Sequence, residues 1–167
     1  MNIKVTSGAQ VKQHLLQGWE FADANDWTRA IDCVDAAIQI NPTVAVCWVT
    51  KGQFLRESKS FEAAESALKK AIEIDPAAYC AWTELGILFR DMDLYEQSAE
   101  CLRESVSLHP DFNTYTILAN VELTFDPEAA LSDATLALEL NPDWDEAIHV
   151  RDEAKKLVSS SESDGVT

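Results

Sequence analysis

The feature that most constrains this chain is a fixed spacing of its proline and glycine residues. Three prolines and three glycines each recur 34 residues apart: Pro42, Pro76 and Pro110, and Gly18, Gly52 and Gly86. Proline interrupts a helix, and glycine lets two backbones approach closely. The shared spacing therefore predicts a repeated structural unit rather than an irregular globular fold.

Aromatic, apolar and small residues follow the same period. The columns are Trp27, Phe61 and Tyr95; Trp48 and Trp82; Phe21, Leu55 and Phe89; Val34, Leu68 and Leu102; and Ala30, Ala64 and Ser98. We expect each glycine to lie where two helices of a unit approach most closely, with the small residue opposite it and the large residues filling the space between. One helix pair cannot cover its own apolar face, so neighbouring pairs must stack.

These columns resemble the tetratricopeptide repeat, whose unit reads W-x2-L-G-x2-Y, then A-x3-F, then P. The third unit fits best, with Trp82, Leu85, Gly86 and Phe89 in register, whereas the first has His14 in place of the Trp. The resemblance implies an all-α fold: a right-handed α-solenoid of three regular helix pairs, a degenerate fourth pair and a C-terminal capping helix.

The period sets the expected boundaries. We expect an N-terminal segment at 1–9, a repeat domain at 10–158 with repeats at about 11–44, 45–78, 79–112 and 113–142, a capping helix at 143–158, and a disordered tail at 159–167. Pro142 arrives two residues early, which predicts a shortened turn in the fourth repeat, with Asp126 as cap and Pro127 at the first helical position. The residues before the terminal prolines should leave the helical conformation: Asn41, Asp75, His109 and Asn141.

In two segments the secondary-structure propensity of the residues predicts a strand where the 34-residue period predicts a helix. Residues 44–50 and 113–124 are rich in β-branched side chains and would be read as strands in isolation. Propensity differences amount to a few tenths of a kcal/mol per residue, whereas burying a Trp or Leu contributes roughly 1.5 to 3 kcal/mol. We therefore predict helices in both segments.

The charge composition limits the kinds of partner that this chain can bind. Thirteen basic and twenty-nine acidic residues give a net charge of −16, which repels nucleic acid and anionic lipid. We therefore expect no nucleic acid and no direct membrane binding. The sequence has no long apolar stretch and no signal-peptide pattern, and its four cysteines form no CxxC pair, so we expect a cytoplasmic protein whose cysteines are small buried hydrophobes.

The sequence offers no catalytic, cofactor or metal motif. Its three histidines lack metal-ligand spacing, and no phosphate-binding or nucleophile motif occurs. We expect the many acidic residues to lie on solvated helix faces. The prediction is a protein that is not an enzyme and uses no cofactor.

The resemblance implies a concave groove, lined by the first helix of each pair, that binds a protein or peptide partner. Positions counted from the repeated glycines give these groove residues: Leu15, Trp19, Val49, Gln53, Arg56, Thr83, Ile87 and Arg90. We expect Leu15, Trp19 and Val49 to anchor an apolar or amphipathic partner segment, and Arg56 and Arg90 to pair with a partner carboxylate.

Two alternatives for these residues stay open. An apolar Trp19 in the groove is equally well explained if the N-terminal segment or a second copy of the chain covers it. The arginines are explained at least as well by ion pairs within the chain, to Glu57, Glu84 or Asp91.

The resemblance also excludes one kind of partner. The carboxylate-clamp members of the family bind acidic C-termini of chaperones through Asn, Lys and Arg at five positions. Here those positions hold Trp19, Leu15, Thr50, Cys80 and Glu84. The remaining candidate functions are an interaction adaptor, a dedicated chaperone for a secreted cargo such as those of type III secretion, and a homo-oligomeric scaffold.

Overall fold

The computed structural model describes residues 7–164, with the side chains described for residues 7–160. Within this range the chain forms helices joined by short turns and contains no strand. The helices are α1 (Ser7–Asp23), α2 (Trp27–Ile40), α3 (Ala45–Glu57), α4 (Phe61–Ile74), α5 (Tyr79–Asp91), α6 (Tyr95–Leu108), α7 (Phe112–Glu122), α8 (Pro127–Leu140) and α9 (Asp145–Asp164). The predicted all-α repeat fold is confirmed, and the two segments rich in β-branched residues fall in α3 and α7.

The chain divides into two compact units, residues 1–88 and 89–167. In the first unit α1 packs against α2, α2 against α3, and α3 against α4. In the second unit α6 packs against α7, α7 against α8, and α8 against α9. Inside each unit, a helix thus covers the apolar face of the helix before it, as stacking of repeats requires.

The turns inside the first three repeats share one backbone conformation. Asn25, Lys59 and Asp93 each have a positive φ, of 58°, 63° and 59° respectively. The fourth repeat uses a different turn, in which the Asp126 side chain accepts a hydrogen bond of 3.1 Å from the Ala129 backbone N–H and Pro127 opens α8. The predicted cap and the position of Pro127 are confirmed, but the predicted shorter turn is wrong. Four residues, 123–126, separate α7 from α8, against three in each of the other repeats, and the missing pair of residues instead shortens α7 to 11 residues, against 13 in α3 and α5.

The breaks between repeats lie where the terminal prolines predict them. Asn41, Asp75, His109 and Asn141 all have extended backbones and precede a proline, with φ values of −149°, −139°, −147° and −144°. Proline disfavours the helical conformation in the residue before it, which ends each second helix.

Two of the repeated glycines lie at close helix contacts. A Cβ added at Gly52 would lie 2.5 Å from Cγ of Leu68 on α4, and one at Gly18 would lie 3.3 Å from the backbone oxygen of Ala30 on α2. Ala30 and Leu68 are themselves fully buried. Both glycines lie at close contacts with the second helix of their pair, as expected. The small residue lies opposite Gly18, as predicted, but the side chain nearest to Gly52 is the large Leu68 rather than Ala64.

Two details of the sequence interpretation need correction. The last helix continues to Asp164, so residues 159–164 are helical rather than part of a disordered tail, while 165–167 lie outside the described residues. Cys47 and Cys101 are buried, but Cys33 and Cys80 are only half-buried. Across the described part of the chain, no helix combines the length and the apolar character that crossing a bilayer requires.

Candidate functional site

Three of the predicted groove residues meet at one cavity in the first unit. Trp19 comes from α1, whereas Gln53 and Arg56 come from α3. The cavity has a volume of about 290 Å³, and the rest of its lining is Ala22, Asp23, Trp27, Phe54 and Glu57. Three helices therefore contribute side chains to a single concave site.

The turn between α1 and α2 places Trp27 in this cavity. The chain reverses at Asn25, which has a φ of 58°. Asp26 then caps α2 by accepting a hydrogen bond of 3.1 Å from the Arg29 backbone N–H. Because the turn is so short, the first residue of α2 lies beside the last residues of α1.

The floor of the cavity is aromatic. Phe54 is only 1% exposed, and its ring meets Trp19 edge-on, with ring centroids 4.8 Å apart and an interplanar angle of 79°. Trp27 lies against the same ring at 6.3 Å. Trp19, in contrast, remains 44% exposed. An exposed indole over a buried ring is a preformed apolar contact surface of the kind that interfaces use.

Arg56 is engaged within the chain. Its Nη2 lies 2.8 Å from Oε1 of Glu57, and its Nε lies 3.7 Å from Oε2 of Glu84. Glu84 also accepts a hydrogen bond of 2.7 Å from the Gln53 amide. The intramolecular alternative thus describes Arg56, whose charge is already balanced by two carboxylates of its own chain.

The rim of the cavity carries acidic groups. Asp23 and Glu57 are both exposed, and each is the last residue of its helix, α1 and α3 respectively. Asp23 forms no ion pair with any other residue that the structure describes. The C-terminal end of a helix carries partial negative charge, so two helix ends add to the negative charge of the rim.

The other predicted groove residues do not line this cavity. Leu15 packs against the core of the first unit, and Val49 is only 4% exposed, which corrects the expectation that Val49 lies open as an anchor. Thr83 and Ile87 are half-buried on α5. Arg90 belongs to the second unit, where it donates a hydrogen bond of 3.2 Å to the neighbouring Asp91.

The sequence interpretation missed Trp27, Phe54 and Asp23. Counting from the repeated glycines selects residues of the first helix only, so it passes over Trp27 at the start of α2. Trp27 does stand in a visible 34-residue column with Phe61 and Tyr95, but that column was assigned to packing. The N-terminal segment that was expected to cover Trp19 is residues 1–9. Residues 1–6 lie outside the described residues, and residues 7–9 form the start of α1.

Two larger surface hollows differ from this site because a single helix lines each of them. One, of about 500 Å³, is lined by α1 alone and includes Lys12 and Leu16. The other, of about 520 Å³, is lined by α9 alone and includes His149 and Asp152. Within residues 7–160, no group of three or more His, Cys, Asp and Glu residues is placed to hold a metal ion.

Comparison with known proteins identifies two of the repeats. The sequence model of the tetratricopeptide repeat matches residues 45–77 and 81–112. No protein of curated function matches the sequence.

Several solved structures share the fold. MamA from Desulfovibrio magneticus RS-1 superposes with a TM-score of 0.69 at 22% identity, over 85% of this chain and 79% of that chain. A chain of the APC/C hetero-tetramer Cut9–Hcn1 gives 0.73 at 17% identity, over 84% of this chain but 29% of that chain. The first TPR of Spaghetti (RPAP3), bound to the HSP90 peptide SRMEEVD, gives 0.65 at 18% identity, over 74% and 98%. At these identities the likeness concerns the fold alone.

Proposed function

On the premise that this chain is built from tetratricopeptide repeats, we propose that it binds a segment of a partner polypeptide through the cavity bordered by Trp19. Such repeats are generally protein interaction modules, and one neighbour in fold, the first TPR of Spaghetti, is bound to a peptide. The proposed activity is binding without chemistry.

The observation that carries the proposal is the contrast between Trp19 and Phe54. Phe54 is buried and fixes the floor of the cavity, whereas Trp19 leaves 44% of its surface exposed at the border. Burying this indole against a partner removes apolar area from water without rearranging the floor. Exposed aromatic groups beside a buried apolar floor are typical anchors of binding energy.

A matched pair of variants tests the proposal. Trp19→Ala removes the border of the cavity, and Leu16→Ala removes a 55% exposed apolar side chain from the same helix at a site outside the cavity. We expect Trp19→Ala to lose the partners that co-purify with the wild-type chain from its native host, and Leu16→Ala to retain them. Circular dichroism melts of both variants report whether the fold is intact.

The same experiment separates the competing functions. A dedicated chaperone returns one abundant exported cargo, whereas an adaptor returns one or more resident proteins. A homo-oligomeric scaffold instead gives a mass that rises with concentration in light scattering, and Trp19→Ala lowers that mass if the second copy occupies the cavity. Equal recovery of all partners by Trp19→Ala and wild type would contradict the proposal.

A further inference from the structure

We infer that the group entering the Trp19 cavity is a cationic side chain of the partner, with arginine the best fit, carried on an amphipathic segment. This inference rests on the proposed function and specifies the chemistry of the partner at that same site. It replaces the expectation that Arg56 receives a partner carboxylate.

The charges around the cavity favour a cation. Its lining holds two carboxylates, Asp23 and Glu57, and one cation, Arg56. Arg56 pairs with Glu57 at 2.8 Å and lies 3.7 Å from Glu84, so its positive charge is already balanced. The Asp23 carboxylate then remains as net negative charge at the rim, since it forms no ion pair with the other described residues.

The helix ends add to this potential. α1 ends at Asp23 and α3 ends at Glu57, so the negative ends of two helix dipoles border the cavity. α2 presents its positive end at Trp27, where the Asp26 carboxylate accepts the Arg29 backbone N–H and is itself paired with the Arg29 guanidinium. The two negative helix ends and the Asp23 carboxylate outnumber this one positive end. The net field at the cavity therefore attracts a cation.

The aromatic lining suits the same occupant. A guanidinium group stacks on an indole face and keeps its N–H groups available for carboxylates. Trp19 offers an exposed indole, and Asp23 stands four residues further along the same helix, one turn away. The aliphatic stem of an arginine would lie along Trp19 while its head reaches Asp23.

The size of the cavity suits a side chain rather than a whole segment. Its volume of about 290 Å³ lies at the lower end of the range for small-molecule sites, roughly 300 to 1,000 Å³. The remainder of the segment must therefore lie outside the cavity. The net charge of −16 also steers a basic segment toward this protein over distance.

An anionic occupant is disfavoured for a specific reason. It would have to displace Glu57 or Glu84 from Arg56 and would leave that carboxylate without its partner beside Asp23. Like charges in close proximity raise the free energy of the complex, whereas a cation adds an attraction and breaks no existing pair.

Three synthetic peptides test the inference on the full chain. Each is acetylated, amidated and amphipathic, with Leu on one face, and they differ only at one central position: Arg, its uncharged isostere citrulline, or Glu. Binding is measured by isothermal titration calorimetry and by tryptophan fluorescence. We expect the Arg peptide to bind about threefold to tenfold more tightly than the citrulline peptide, and the Glu peptide to bind most weakly.

Charge-removing variants then locate the effect. Asp23→Asn keeps the size of the side chain and removes the charge that forms no ion pair, whereas Asp32→Asn removes the same charge from an exposed position on α2 outside the cavity. We expect Asp23→Asn to erase most of the difference between the Arg and citrulline peptides, and Asp32→Asn to preserve it. Added salt should reduce the preference in wild type and have little effect in Asp23→Asn.

The outcomes distinguish the inference from the proposed function. One outcome is that wild type binds the Arg and citrulline peptides with equal affinity while Trp19→Ala binds neither. That result would show that the cavity binds peptide segments and that the inferred preference for a cation is wrong. The inference is overturned if the Arg peptide does not bind. It is also overturned if Asp32→Asn reduces the preference for the Arg peptide as much as Asp23→Asn does. In either case, recovery of partners by Trp19→Ala still tests the proposed function independently. A self-association that Trp19→Ala abolishes and that prevents the Arg peptide from binding would identify a second copy as the occupant and also overturn the inference.

Discussion

Arg103 on α6 donates a hydrogen bond of 2.5 Å to Oε1 of Glu122 on α7, and this glutamate is 0% exposed. Burial and the nearby carboxylate of Asp133 on α8 raise the pKa of Glu122 to about 8. Burial also raises the pKa of Asp133. No hydrogen-bond donor among the described residues reaches Oε2 of Glu122. With a pKa of about 8, the carboxyl group of Glu122 is protonated at neutral pH and can share its proton with Asp133.

The cluster predicts a stability that falls as pH rises. A glutamate in the unfolded chain has a pKa near 4.5, so between about pH 5 and pH 8 the folded chain binds more protons than the unfolded chain. The contribution of Glu122 is therefore complete below its unfolded pKa and is lost as pH rises through about 8. We expect the free energy of unfolding in urea to decrease over this window.

Glu122→Gln isolates this effect, because an amide retains a donor toward Asp133 and an acceptor for Arg103. We expect this variant to flatten the pH dependence and to exceed wild type in stability at about pH 8.5, by on the order of 2 kcal/mol, since one pKa unit corresponds to about 1.4 kcal/mol. Glu128→Gln, at an exposed position of α8, is the control and should leave the slope unchanged. Equal slopes for wild type and Glu122→Gln would refute the shared proton.

The contact at Gly52 predicts a strong effect of a single methyl group. An added Cβ would approach Cγ of Leu68 to 2.5 Å, and Leu68 is fully buried, so its side chain can move only if the surrounding core repacks. We expect Gly52→Ala to lower the free energy of unfolding by about 1 to 3 kcal/mol, the usual penalty of overpacking.

Gly8→Ala is the matched control for that substitution, because nothing lies within 4 Å of its added Cβ. Alanine favours the helix over glycine by up to about 1 kcal/mol, so this variant should be unchanged or slightly more stable. Both are measured by chemical denaturation. If both substitutions stabilise the chain, helix propensity rather than close packing governs the glycine column.

A hydrogen bond between repeats explains the paired tryptophans. The Trp48 indole donates to the Pro42 carbonyl at 2.9 Å, and Trp82 donates to the Pro76 carbonyl at 3.1 Å. We expect Trp48→Phe, which preserves most of the apolar contact, to lower the free energy of unfolding by about 1 kcal/mol because the carbonyl loses its donor. Trp19→Phe, at the exposed indole, should change stability less; an equal loss would show that ring size, not the bond, matters.

The period in the sequence predicts most of the fold because it reports packing that every repeat must satisfy. The Gly52 to Leu68 contact, the break at Asn41 and the start of α8 at Pro127 all follow from residues whose backbone chemistry is restrictive. The same period overrides β propensity in α3, where burial of Phe54 outweighs small local preferences.

The candidate site was less predictable because it depends on how helices are rotated against one another. Trp27 reaches the Trp19 cavity through the turn at Asn25, and Phe54 reaches it through the packing of α3 beside α1 and α2; no spacing rule encodes that meeting. Glu122 contradicts the expectation that acidic residues lie on solvated faces, since a buried acid looks like any other helical Glu in sequence. The helix beyond residue 158 was missed because its polar residues show no apolar periodicity.

The turn at Lys59 predicts a stabilising substitution. Asn25, Lys59 and Asp93 all adopt the left-handed conformation, which costs roughly 1 to 2 kcal/mol for most residues and less for Asn and Asp. Lys59 is therefore the least suited of the three, and Lys59→Asn should raise the free energy of unfolding by about 0.5 to 1 kcal/mol. The loss of the Lys59 ammonium, 5.7 Å from the Phe61 ring centroid, offsets part of this gain. The reciprocal substitution Asn25→Lys should destabilise the chain by a similar amount. Urea denaturation measures both variants, and midpoints that move in the same direction would exclude backbone strain as the cause.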